Sequence, residues 1–180
     1  MAKNTYKEVI EPSLIYGGII GGVILLHTVV LHIMNATFST YSIVMGYILP
    51  IGLYTYALYT YRKEYLGDVM TYSKGLGMGV MFSVVYAMIS TGYLIVLVKL
   101  IDPNYLELVK QMAEEKMLKK GLNEEAIEQT MEMSERFRSL GFMTIAGFLG
   151  ITLMGTIYSL IIMIFLKKEP KDPFANVEAQ

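Results

Sequence analysis

The chain contains no cysteine. Disulfides, thiol catalysis and thiolate metal sites are excluded together. It contains no tryptophan, so its fourteen tyrosines must supply any aromatic belt at a membrane surface. Histidine occurs only at His27 and His32. Charge is missing over four long runs, 14–34, 41–61, 76–98 and 142–166, none of which holds an Asp, Glu, Lys or Arg. The formal net charge is −1, so no overall basic field points to nucleic acid.

What is present is apolar surface, at 54% of residues. Each of the four runs reaches the ~20 residues that a helix needs to cross a bilayer. Lipid offers the backbone no hydrogen bonds, so a spanning segment must be a helix or a closed barrel strand. The runs lack the period-two alternation of barrel strands. The reading is an all-α integral membrane four-helix bundle, a single membrane domain over residues 1–180. Lys3 and Lys7 share the leading segment with Glu8, Glu11 and Pro12. The apolar run that follows is too long for a cleavable signal, so the first helix is expected to stay as an anchor.

Between the third and fourth runs lies a segment of different character, about 102–138. Asp102-Pro103 predicts a capped helix start with proline in the first turn. Gly121 predicts a stop near Lys120, and Asn123 caps a second helix with Glu124 and Glu125 in its first turn. Helical spacing groups Tyr105, Leu106, Leu108, Val109, Met112, Ala113 and Met117 on one side. In the second helix it groups Ala126, Ile127, Thr130, Met131, Met133 and Phe137. The expectation is an extramembrane amphipathic hairpin with Met112, Met117, Met131 and Met133 inside. An acidic outer face carries Glu124, Glu128, Glu132 and Glu135 and is the candidate surface for a membrane or periplasmic protein partner.

An even number of spans puts both termini on one side. Lys3 and Lys7 precede the first span and the turn after it, 35–40, is uncharged. The positive-inside bias therefore predicts cytoplasmic termini. The tail beyond Lys168, with Pro170 and Pro173, reads as a mobile end.

Several segments resemble a known family in order along the chain. They are Tyr61-Arg62-Lys63-Glu64-Tyr65-Leu66-Gly67, Thr71-Tyr72-Ser73-Lys74-Gly75, Gly77-Met78-Gly79 and Ile101-Asp102-Pro103. Met112-Ala113-Glu114-Glu115-Lys116-Met117 and Glu124-Glu125-Ala126-Ile127-Glu128-Gln129 continue the likeness. Together these resemble the bacterial four-helix membrane proteins of domain of unknown function 4199, over about residues 10–170. The resemblance implies a bacterial inner-membrane location and no activity.

His27 is the one ionisable group deep in an apolar run, which makes it a candidate intramembrane site. A neutral imidazole bonded to a neighbouring hydroxyl is the alternative. His32 lies about 140° away around the helix, too far for a shared metal. Gly17, Gly18, Gly21 and Gly22 form two small-xxx-small pairs, read as helix packing within the chain or as a homo-oligomer seam. Gly75, Gly77 and Gly79 lack the strand that a phosphate loop needs. Tyr47, Tyr54 and Tyr61 recur along one stripe, read as a belt plus packing, and Pro50 interrupts the second helix.

No nucleophile–base pair, metal-ligand cluster or cofactor motif stands out. The expectation is a non-enzymatic membrane protein acting through contacts, as an accessory subunit, sensor or envelope-organising factor. A small transporter or homo-oligomeric channel is the alternative.

Overall fold

The computed structural model describes residues 6–135, 137 and 139–169. Lys3, Pro170 and Pro173 lie outside the described residues. Among the described residues six α-helices follow in order: α1 Glu11–Ile33, α2 Thr40–Leu66, α3 Tyr72–Val96, α4 Tyr105–Lys119, α5 Glu124–Glu135 and α6 Leu140–Leu166. A π-helical turn, Tyr6–Ile10, leads into α1, and another, Leu97–Ile101, continues α3.

Among the described residues four helical segments are long and apolar enough to cross a membrane: Tyr6–Ile33, Thr40–Leu66, Tyr72–Ile101 and Leu140–Leu166. Each is longer than its apolar run, because a helix does not end where the hydrocarbon ends. The second shows this best. The sequence predicts an end at Arg62-Lys63-Glu64 and a charged connection over 62–74. The helix instead runs to Leu66, and Gly67 closes it in the left-handed conformation at φ 60°. At the other end of α2, the Ser39 hydroxyl accepts from the Ser42 N–H at 3.1 Å. Ser39 thus caps the helix as its short polar side chain suits it to do.

The start of α4 also departs from expectation. Asp102 does not cap it. Its carboxylate accepts from the Asn104 N–H at 3.1 Å, closing a turn, and the helix begins at Tyr105. An Asp side chain readily makes this local turn in competition with a cap. Asn123 does cap α5, accepting from the Ala126 N–H at 2.9 Å. Gly121 follows α4 at φ 80°, where an L side chain would be strained.

The chain forms two compact units, one of Met1–Ile89 with Ile151–Gln180 and one of Ser90–Gly150. In the first unit α1, α2, α3 and α6 share a core built on Tyr16, Ile20, Tyr54, Leu58, Tyr61, Phe82, Ile162 and Met163. Its outside is covered with large apolar side chains such as Leu26, Ile33, Leu153 and Phe165, the last 80% exposed. Tyr54, Tyr61, Ser83 and Ser159 are wholly buried beside Ile20 and Leu58, while most of the large apolar side chains on the outer surface are leucine, isoleucine, valine and phenylalanine. That arrangement is inverted relative to a water-soluble bundle and suits a lipid surround. In the second unit α4 and α5 pack on each other.

Candidate functional site

A polar centre sits inside the first unit. The Tyr54 hydroxyl of α2 donates to the Ser83 hydroxyl of α3 at 2.7 Å, and Ser83 donates to the Gly79 carbonyl at 2.7 Å. Ser159 of α6 donates to the Gly155 carbonyl at 2.7 Å. Tyr54, Ser83 and Ser159 have no exposed surface. Each hydroxyl is satisfied, as burial away from water demands.

Glycine makes this centre fit. A Cβ at Gly155 would strike the Ser83 and Tyr54 hydroxyls, and one at Gly79 would strike the Ser159 hydroxyl. A Cβ at Gly75 would strike the Met163 thioether. Each step of four residues up α3 meets a step of four down α6, so these helices are antiparallel and closely apposed through small residues. The sequence carried a signal for this seam. Gly79-Val80-Met81-Phe82-Ser83 and Gly155-Thr156-Ile157-Tyr158-Ser159 repeat one Gly-x-x-x-Ser spacing in the third and fourth apolar runs. In the second unit the approach is looser, since a Cβ at Gly147 would lie at an ordinary contact distance of 3.7 Å from the Thr91 methyl.

The four glycines of α1 divide into two pairs. A Cβ at Gly17 would lie 2.6 Å from Val85 Cβ and 2.9 Å from the Phe82 carbonyl oxygen. One at Gly21 would lie 2.7 Å from Ile89 Cδ1. Gly18 and Gly22 have nothing within 4 Å of an added Cβ. Gly17 and Gly21 therefore hold α1 against α3 in parallel, while Gly18 and Gly22 face away from every neighbour within the described chain.

Tyr54 and Tyr61 are wholly buried, unlike Tyr47, which is 57% exposed. The stripe read from spacing as belt plus packing thus runs from the surface into the core. The Tyr61 hydroxyl donates to the Glu8 carbonyl at 3.0 Å and the Tyr16 hydroxyl to Glu64 at 2.6 Å. These bonds fasten the π-helical turn and the start of α1 to the last turns of α2.

His27 borders a cavity of about 220 Å3 whose wall includes Thr28, Thr37, Ser42, Gly46, Pro50 and Tyr86. Its ring lies 5.9 Å from that of Tyr41, centroid to centroid. Its Nε2 is buried and has no hydrogen-bond partner among the described residues. His32 does not border this cavity. Among the described residues no group of His, Cys, Asp and Glu is placed to hold a metal.

A charged knot closes the end of the first unit where α2 and α6 finish. The Arg62 guanidinium donates to the Leu166 carbonyl at 2.8 Å, and its Nε lies 3.0 Å from Asp68. The other Asp68 oxygen takes the Lys168 ammonium. Met70 and Lys168 exchange two backbone hydrogen bonds at 2.8 and 2.9 Å. The Lys168 hydrogen bond, with the charges of Lys168, Arg62 and Lys63, holds the Asp68 carboxyl below the usual carboxylate range. The opposing effect of desolvation is smaller than that first hydrogen bond.

In the second unit a groove of about 520 Å3 runs between α4 and α5. Glu124, Glu128, Glu132 and Glu135 line it, with Glu114 and Lys110 from α4 and with Ile127 and Met131. Helical spacing read from the sequence sets those glutamates opposite the apolar side. At about 100° per residue, Glu124, Glu128 and Glu135 in fact stand beside Ile127 and Met131. Acid and apolar surface share one wall. Met133 is 75% exposed and Phe137 is exposed as well, so neither is inside. The inward stripe is narrower than the wheel suggested and consists of Ile127 and Met131.

Among the described residues, four apolar spans around a core that holds buried tyrosine and serine hydroxyls define a multi-pass helical membrane protein. Residues 15–168 match the model of the DUF4199 family, proteins of unknown function, and the chain belongs to that family. No curated protein and no solved structure matches it.

Proposed function

We propose that this chain is a non-enzymatic protein of a bacterial inner membrane that acts through contacts. Both termini face the cytoplasm, and α4 and α5 stand outside the bilayer on the opposite side as the recognition element. The observation that carries this reading is the α4–α5 groove, in which Glu114, Glu124, Glu128, Glu132 and Glu135 surround Ile127 and Met131. Carboxylates around an apolar floor suit a protein segment that sets apolar side chains between lysines or arginines. Leu118, Met133 and Phe137 add exposed apolar surface on the same two-helix segment and its continuation. An accessory subunit, a sensor or an envelope-organising factor would each use such a surface.

Replacing Glu124, Glu128, Glu132 and Glu135 together with Gln tests the reading. The expected result is an unchanged fold with loss of partner co-purification. In the wild type that association weakens as salt rises, because exposed charges are screened beyond about 8 Å at physiological ionic strength. Retention of the same partner by the four-Gln variant overturns it.

A small transporter or homo-oligomeric channel is the second reading, and the cavity beside His27 is what favours it. Solute flux in proteoliposomes that His27→Phe abolishes would decide for it.

A further inference from the structure

The cavity beside His27 holds two polar groups that the fold leaves without their ordinary partners. The first is His27 Nε2, buried and unbonded among the described residues. The second is the Gly46 carbonyl. In an α-helix it would accept from the N–H four residues on, but that residue is Pro50, which has no N–H. Gly46 and Pro50 both line the same cavity as His27. Gly46 is exposed and a Cβ there would meet nothing within 4 Å, so its backbone is open and no neighbouring side chain covers it.

A buried polar atom such as His27 Nε2 almost always finds a partner, and this cavity, whose wall mixes Ile24, Leu31, Met45 and Leu49 with its polar groups, has room for one from outside the chain. The wall also carries Thr28, Thr37 and Ser42. The Thr28 hydroxyl already donates to the Ile24 carbonyl at 2.9 Å, which leaves its oxygen lone pairs to accept. No Asp, Glu, Lys or Arg lines the cavity, so a charged occupant would find no counter-ion. The carbonyl only accepts, and a neutral imidazole nitrogen accepts or donates according to tautomer. An occupant that both donates and accepts satisfies either tautomer.

We propose that this cavity is a binding site for a small neutral solute carrying both hydrogen-bond donors and acceptors, of the primary amide or alcohol class. The solute bridges His27 Nε2 of α1 and the Gly46 carbonyl of α2. Proline at position 50 exposes that carbonyl and so forms half of the site. The site lies wholly within the first unit and does not depend on any role of α4 and α5.

Acetamide and N,N-dimethylacetamide are matched probes, since the second keeps the acceptor and loses both donors. The full chain in lipid nanodiscs, labelled at methionine methyl groups, reports through Met45, which lines the cavity. The expected result is a saturable Met45 shift with acetamide and none with dimethylacetamide. Pro50→Ala supplies an N–H to the Gly46 carbonyl and should raise the half-saturating acetamide concentration roughly fivefold, the range of one neutral hydrogen bond. His27→Phe should raise it similarly. An equal response to both probes means that the cavity takes solutes by volume alone and overturns the proposal. So does no saturable response, or unchanged acetamide binding in a folded Pro50→Ala variant. The two-probe comparison on the wild type stands even if neither variant folds.

Discussion

Gly79 and Ser159 face each other across α3 and α6 so closely that a Cβ on the glycine would strike the serine hydroxyl. Ser159 cannot turn away at no cost, because its hydroxyl is committed to the Gly155 carbonyl at 2.7 Å. Gly155 is itself pressed against the Ser83 and Tyr54 hydroxyls. Two glycines and two serines thus form a reciprocal contact, with each glycine making room for the other helix's hydroxyl.

Gly79→Ala and Gly155→Ala should each destabilise the protein by about 1–3 kcal/mol, the usual cost of overpacking a filled interior. Gly77→Ala is the control. Nothing lies within 4 Å of a Cβ there, and alanine should be neutral or stabilise by up to about 1 kcal/mol through helix propensity. Thermal unfolding in one detergent compares the three, and equal midpoints would show that the α3–α6 seam is not tightly packed.

The glycines of α1 should separate in the same way. Gly17→Ala meets a backbone carbonyl and a β-carbon, which cannot give, and should cost roughly 1–3 kcal/mol. Gly21→Ala meets first the flexible end of Ile89 and should cost less. Gly18→Ala and Gly22→Ala should leave the folded chain as stable as before. A change of oligomer size confined to Gly18→Leu or Gly22→Leu would place a second copy on that side of α1.

The knot at Arg62, Asp68 and Lys168 should respond to acid. The folded-state Asp68 pKa is lowered, so its contribution to stability is present above the unfolded-state value, about 3.9. It fades as pH falls below that value and through the folded one. The stability difference between wild type and Asp68→Asn should therefore be constant near neutrality and shrink toward pH 3. A difference that grows on acidification contradicts the assignment. Arg62→Ala should cost more, about 1.5–3 kcal/mol, because its charged hydrogen bond also holds the Leu166 carbonyl at the end of α6. Faster amide exchange in the last turn of α6 is the local readout.

The proposed orientation has its own measurement. Single cysteines at Ser39 and Gln129 in this cysteine-free chain should be reached by an impermeant thiol reagent from outside the cytoplasm. Labelling of either from the cytoplasmic side alone reverses or breaks the topology.

The sequence reveals membrane residence more readily than the polar interior. A run such as 142–166 is legible because lipid forces uniform apolarity along the whole helix. That same uniformity hides which side of the helix faces a neighbour, so Ser159 and Gly155 pass unremarked inside it. Gly17 and Gly18 read alike in the sequence, and only the position of Val85 and Phe82 separates them. The charge of Arg62 suggests a helix end, yet its side chain reaches a carbonyl in α6, a contact that no local pattern encodes. The glutamates of α5 were legible as a group. Their side of the helix was not, because a twelve-residue helix offers few turns over which to average the wheel.

The α3–α6 contact also imposes a sequence on biogenesis. During synthesis α1, α2 and α3 emerge in succession, and the Gly17–Val85 contact can close as soon as α3 is complete. Gly79 and Ser83 have no such early partner from α6, since all of α4 and α5 must be made before Gly155 and Ser159 exist. Through that interval a notch in α3 lies open on the first three helices, and the arrival of α6 is what shuts it.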